Sequence, residues 1–126
     1  MRIDHIALFT KDIERLCEFY CAYFEARAGE PYHNPRTGLK TRFVYFADGA
    51  RLEIMSRPDV ATTPQPSQLG YAHVAFDVGN RDTVDTLTER LRADGYAVVS
   101  GPRVTGDGYY ESCVLDPDGN AVEITG

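Results

Sequence analysis

Short apolar runs alternate with polar breaks along this chain, and the order of the runs repeats once. MRIDHIALFT alternates as a strand does, with Ile3, His5, Ala7 and Phe9 on one side and Asp4, Ile6, Leu8 and Thr10 on the other. A helix is predicted next. Ile13, Leu16, Cys17, Tyr20 and Phe24 fall on one helical face, Thr10 can cap the start, and Asp12 and Glu14 suit the positive N-terminal end. EPYHNPRTG reads as a loop rich in Pro and Gly, with His33 exposed in it. TRFVYFA and RLEIMS then predict two strands joined at Asp48-Gly49, a dipeptide that favours hairpin turns.

The second half replays this order. GYAHVAFDV is its strand, Asn80 its helix cap, Val84, Leu87 and Leu91 its apolar stripe, and Gly95 its stop. YAVVS, a loop GPRVTGDG, and the pair YYESCVLD and NAVEIT follow, the last two meeting at Asp118-Gly119. The offset between halves is 68 at His5 and His73, 71 along the helix stripes, and 70 at the turns and at Glu53 and Glu123. Such near-constancy marks an internal repeat. Each half reads as a β-α-β-β-β module in an α+β fold, and each needs a partner for the sheet face its helix leaves bare. The modules span roughly 1–58 and 70–126 of a single domain, joined by the polar, proline-bearing linker 59–69.

Composition narrows the function classes. At 126 residues and 43% hydrophobic content the chain suits one compact domain with a core. A net charge of −6 with no basic run argues against nucleic acid as a partner. With no 18-residue apolar run, and with charge breaking the N-terminus early, a soluble cytoplasmic protein without a membrane partner is expected. Three cysteines at no familiar disulfide spacing read as small buried hydrophobes, Cys17 and Cys21 belonging to the helix stripe.

Against this background four residues stand out: His5, Glu53, His73 and Glu123, each inside a short apolar segment. In RLEIM, Leu52 and Ile54 share one strand face, leaving Arg51, Glu53 and Met55 on the other. Glu123 likewise opposes Val122 and Ile124, and His73 shares a face with Tyr71, Ala75 and Asp77. Any one of these could be a surface residue at a strand end, but two His and Glu pairs in register are harder to assign to chance. Two imidazoles and two carboxylates suit one divalent cation per site: Zn, Ni, Co, Mn or Fe. Four protein ligands with one or two open positions favour a Lewis-acid site over a closed structural zinc.

DHIAL, KDIERLCEFY, HVAF and above all DPDGNAVEI resemble the vicinal oxygen chelate superfamily, which holds glyoxalase I, extradiol dioxygenases, and fosfomycin and bleomycin resistance proteins. The resemblance implies paired β-α-β-β-β modules forming an open curved sheet around a metal, with the helices outside. Glu53, at the second ligand position, makes it closest to glyoxalase I and similar small bacterial proteins. It implies His5, Glu53, His73 and Glu123 as metal ligands and proton transfer through an enediolate, with Glu123 the base and Glu53 its counterpart. The substrate implied is a small molecule chelating the metal through adjacent oxygens. The arginine and asparagine positions by which glyoxalase I holds glutathione have no match here. The modules of such proteins pair within one chain or exchange between two copies in a homodimer. Two alternatives stand beside this reading: a non-haem iron dioxygenase using His5, His73 and Glu123, and a metal-free small-molecule-binding protein.

Four further side chains are candidates for substrate contact. GPRVTGDGYYE resembles a flexible segment with Gly106 and Gly108 as hinges, from which Arg103, Tyr109 and Tyr110 can reach a ligand; an ordinary connection to the next strand explains it equally well. Arg42, like Arg51, could anchor an anion, although a cross-strand ion pair is the commoner role for arginine in a strand.

Overall fold

The computed structural model of the protein describes residues 2–62 and 69–126, and the chain divides into two compact units, Met1–Thr62 and Thr63–Gly126. Residues 63–68 of the expected linker lie outside the described residues. The first unit runs β1 (Ile6–Phe9), α1 (Ile13–Tyr23), β2 (Arg27–Ala28), β3 (Tyr32–His33), β4 (Lys40–Tyr45) and β5 (Arg51–Ser56). The second runs β6 (His73–Asp77), α2 (Arg81–Ala93), β7 (Val98–Val104), β8 (Tyr110–Leu115) and β9 (Ala121–Thr125). The fold is α+β, with one mixed sheet and one helix per unit.

The two sheets share a plan. In the first the order is β1-β5-β4-β2, with β3 also on β4; in the second it is β6-β9-β8-β7. Both first strands lie at a sheet edge and pair in parallel with the last strand of their unit, while the remaining pairs are antiparallel. Gly49 and Gly119 turn the β4–β5 and β8–β9 connections with φ of +90° and +86°, the left-handed region that glycine enters without steric penalty. Asp116 fixes the second turn, its Oδ1 accepting from the backbone N–H groups of Asp118 and Asn120, both at 2.9 Å.

Each helix packs one face on its own sheet. Leu16, Cys17, Phe19 and Tyr20 of α1 are buried with Val44, Leu52 and Ile54; Val84, Thr88 and Leu91 of α2 are buried with Val114, Val122 and Ile124. Complete burial of one such aliphatic side chain contributes about 1.5–3 kcal/mol, so these stripes dominate the stability of each unit. Burial also holds the Cys17 thiol up at about 11. The three cysteines are free; Cys17 is buried, whereas Cys21 and Cys113 are only half-buried.

The sequence reading needs correction at three places. Asp12, not Thr10, caps α1: its Oδ1 accepts from the Arg15 N–H at 3.1 Å, while Thr10 Oγ1 accepts from the Asp12 N–H. Thr10 thus sets the approach to the cap, two residues before Asp12. The EPYHNPRTG segment is only partly a loop, since Tyr32 and His33 form β3 on β4, exposed as expected. With β2 this gives the first unit one strand more than the β-α-β-β-β plan. Finally, β7 continues through Arg103 and Val104. Its register slips between Val98, Ser100 and Arg103, where a Cβ on Gly101 would lie 2.4 Å from the Glu111 carbonyl oxygen, so only glycine fits.

Candidate functional site

Strand register brings each histidine to the glutamate of its own half. β1 beside β5 aligns Ala7 with Glu53, and β6 beside β9 aligns Ala75 with Glu123. The histidine lies two residues before that alanine in both halves, on the same side of the ladder. His5 Nε2 is 3.5 Å from Glu53 Oε2, and His73 Nε2 is 3.1 Å from Glu123 Oε2. The glutamates are mostly covered, their side chains 21% and 22% exposed, because each stands on the sheet face opposite its helix between an alanine and a β4 or β8 neighbour.

The surroundings of the two pairs differ. Asp4 Oδ2 lies 2.9 Å from His5 Nδ1 and also takes the Arg51 guanidinium. His5's hydrogen bond and the Arg51 charge hold the Asp4 carboxyl below the usual carboxylate range. Arg51 stacks over the Phe43 ring at 5.0 Å, and Phe43 meets the His5 ring edge-on at 5.4 Å. Arg51 is the cross-strand ion-pair partner the sequence suggested. The positions of Asp4, Phe43 and Arg51 correspond in the second half to Ala72, Cys113 and Ala121. Cys113 is the cross-strand neighbour of Glu123; burial, then the Glu123 charge, pushes its thiol up. Asp4 and Phe43 did not stand out in the sequence, although Asp4's place directly before His5 is a readable signal.

An ionised carboxylate only accepts hydrogen bonds, so the proton between Asp4 and His5 belongs to Nδ1. A neutral His5 then turns the Nε2 lone pair toward Glu53, and two acceptors at this distance call for a cation or a shared proton between them. Each pair, one imidazole nitrogen and one carboxylate, is a donor set of the kind that divalent metal ions take. Among the described residues no three His, Cys, Asp or Glu side chains are grouped to hold a metal; the close contacts are the two pairs.

The other candidates divide by sheet face. Arg42 is paired in register with buried Ile54, on the helix side, where its Nε donates to the Gly29 carbonyl at 2.7 Å and its Nη1 pairs with Glu14 of α1. Tyr110 also faces its helix: its hydroxyl donates to Asp85 at 2.7 Å and the Arg81 guanidinium lies over its ring. Both are committed to helix–sheet contacts and turned from the glutamate faces. Arg103 aligns with Glu111, which aligns with Thr125, and so shares the face of Glu123. Tyr109 is exposed in the turn between β7 and β8, which the Thr105 and Tyr109 backbone bond closes at 2.8 Å. GPRVTGDGYYE thus runs out of β7, through this turn and into β8. A cavity of about 390 Å³ opens elsewhere in the first unit, between the start of α1 and β3–β4, with His33 and Lys40 in its wall; none of the four pair residues lines it.

Comparison with known proteins agrees with this architecture. The chain is 28% identical over 128 residues to the uncharacterized protein YqjT of Bacillus subtilis (strain 168), covering 97% of this chain and 96% of that protein. A glyoxalase family protein from Enterococcus faecalis superposes with a TM-score of 0.81 at 23% identity, over 99% of this chain and 97% of the other. The trypanothione-dependent glyoxalase I of Leishmania major does so with a TM-score of 0.80 at 20% identity, over 99% and 86%. A profile of the Glyoxalase/Bleomycin resistance protein/Dioxygenase superfamily matches residues 2–124, nearly the whole chain, and the protein belongs to that superfamily.

Proposed function

We propose that the protein is a metal-dependent lyase or isomerase of the glyoxalase I kind, acting on a small substrate with oxygens on neighbouring carbons. The observation that carries this reading is the duplicated pair: His5 with Glu53 and His73 with Glu123, each joined across a parallel ladder at 3.5 and 3.1 Å. Stability does not account for the duplication. A solvent-accessible ion pair contributes about 0–1 kcal/mol, and a hydrophobic residue at either glutamate would serve a purely structural sheet better. His5, Glu53, His73 and Glu123 would hold the metal, which when bound supplies Lewis acidity toward adjacent substrate oxygens.

Glu123 is the residue we assign to proton transfer. Its carboxylate lies beside His73, with Ala75 and Cys113 as its cross-strand neighbours, where Glu53 has the bulkier Phe43. Glu53 is the holding counterpart, enclosed by Ala7 and Phe43. Arg103, on the Glu123 face, and the exposed Tyr109 are the side chains available to steer the substrate's distal end.

Metal analysis of the purified protein, coupled to a turnover assay with methylglyoxal and a panel of low-molecular-weight thiols, tests the reading. Close to one Ni, Co or Zn per site and turnover lost on chelation and restored by metal are expected. Iron with oxygen uptake would replace the reading with a dioxygenase. A protein that takes up no metal, and whose melting temperature added metal leaves unchanged, would replace it with a metal-free binding protein.

A further inference from the structure

We infer that Asp4 is the positioning residue of the first pair: its carboxylate, braced by Arg51, holds His5 as the Nδ1–H tautomer and aims Nε2 at Glu53. Three observations converge on it. The Asp4 Oδ2 to His5 Nδ1 distance is 2.9 Å, a normal hydrogen bond, and the accepting oxygen is the one that also meets Arg51 Nη2. Arg51 is itself held, its Nε directed to the Asp4 backbone oxygen at 3.5 Å and its guanidinium over Phe43. Phe43 then closes the edge of the His5 ring, so both the rotation and the protonation pattern of that ring are constrained. The Asp4 side chain is 52% exposed, which makes it a poor stabilising group and leaves orientation of His5 as its physical effect.

The inference rests on the proposed role of His5 and Glu53 as ligands, and it goes beyond that role by making the two histidines unequal. A ligating imidazole binds through the nitrogen that carries no proton, so fixing the proton on Nδ1 prepares Nε2 before any ligand arrives. Among the described residues His73 has no such device, since Ala72 precedes it and Ala121 pairs with it in register. The first half is accordingly prepared, and the second adapts.

The test is the tautomer itself, read from long-range proton–nitrogen correlations of the histidine rings in labelled metal-free protein at a pH of about 9, above the ordinary imidazole range. Wild-type His5 should be predominantly Nδ1–H, and Asp4→Ala should abolish that preference with the melting temperature held. Asp4→Asn, whose amide oxygen can still accept from Nδ1, should retain part of it. Titration with Zn2+ alone should then give an affinity for Asp4→Ala lower by about 10–100-fold, the usual effect of losing a carboxylate behind a ligating histidine. An Nε2–H ring in wild type, or a ring unchanged in Asp4→Ala, would overturn the inference, as would a Zn2+ affinity that Asp4→Ala leaves intact. A wild-type protein that bound no Zn2+ would instead remove the metal reading, while the ring tautomer would still decide the role of Asp4.

Discussion

His5 and His73 occupy equivalent points in two copies of one module, yet only the first is built in. Around His5 stand Asp4, Arg51 and Phe43, linked in a chain of contacts that ends on the ring. Around His73 the equivalent positions carry Ala72, Ala121 and Cys113. The same strand pairing delivers a glutamate to each histidine, so backbone topology accounts for the pairs and side chains account for the difference. Under the function proposed above, one half would hold while the other acts: the half with bulky, charged support would fix an ion, and the half lined by small residues would carry the carboxylate that accepts a proton and releases it.

The largest effect that would break this division is at the glutamates. Glu123→Gln removes the proposed base and leaves an oxygen donor of the same shape; kcat should fall by about 10²–10⁴-fold, the range a general base contributes, with the fold intact by circular dichroism. Glu53→Gln, assayed at saturating metal, should lose less than about 10-fold in kcat and show its deficit in metal affinity. Equal losses of kcat would dissolve the contrast between the halves, and the reverse order would exchange their roles.

A second contrast lies behind the sheets, where the helices dock. In the second unit the seam is a buried hydroxyl pair: Thr88 Oγ1 donates to the Val84 carbonyl at 2.6 Å and lies 2.6 Å from Ser112 Oγ, both residues being fully covered. Their equivalents in the first unit are Cys17 and Arg42. Thr88→Val keeps the volume but strands the Ser112 hydroxyl in the core, which should cost about 1–3 kcal/mol by denaturant unfolding. Ser112→Ala leaves Thr88 bonded to Val84 and should cost less. If the two variants cost the same, the hydroxyls do not act as the donor and acceptor pair described.

How much of this was readable in the sequence depended on which side chains carry the signal. Leu52 and Ile54 alternating with Arg51, Glu53 and Met55 gave the sheet face of Glu53 correctly, because β5 is regular and one face is fully buried. The helices, the two Asp-Gly turns and the Asn80 cap were legible for the same reason, each being a local pattern with a local physical cause. The bulge in β7 was not. A register slip at Gly101 depends on the close approach of the Glu111 carbonyl across the ladder, and nothing in YAVVSGPRV announces that contact. The same limit applied to Arg42 and Tyr110. Their reach made them candidates for a ligand, but their direction is set by Glu14, Gly29 and Asp85, partners between 13 and 28 residues away in sequence. β2 escaped for lack of length, two residues carrying no period at all. Asp4 was visible as a residue and invisible as a partner, since its role depends on Arg51 arriving from another strand.

The smallest effect concerns that Arg42 seam, and its sign is as informative as its size. Arg42 ties α1 to β4 through Glu14 and reaches the Gly29 carbonyl next to β2, but the Glu14 side chain is 63% exposed and water can replace either partner. Arg42→Met keeps an aliphatic stem on the helix side of the sheet while removing the charge, so the loss should be at or below about 1 kcal/mol. Salt separates this seam from the other. In about 1 M NaCl, where screening acts within about 3 Å, the wild-type advantage over Arg42→Met should shrink toward zero, whereas the cost of Thr88→Val should be unchanged, because a buried neutral hydrogen bond has no charge to screen. A salt-independent Arg42→Met deficit would mean that the stem and the Gly29 bond, not the Glu14 ion pair, hold α1 to its sheet, and the two seams would then differ in chemistry without differing in kind.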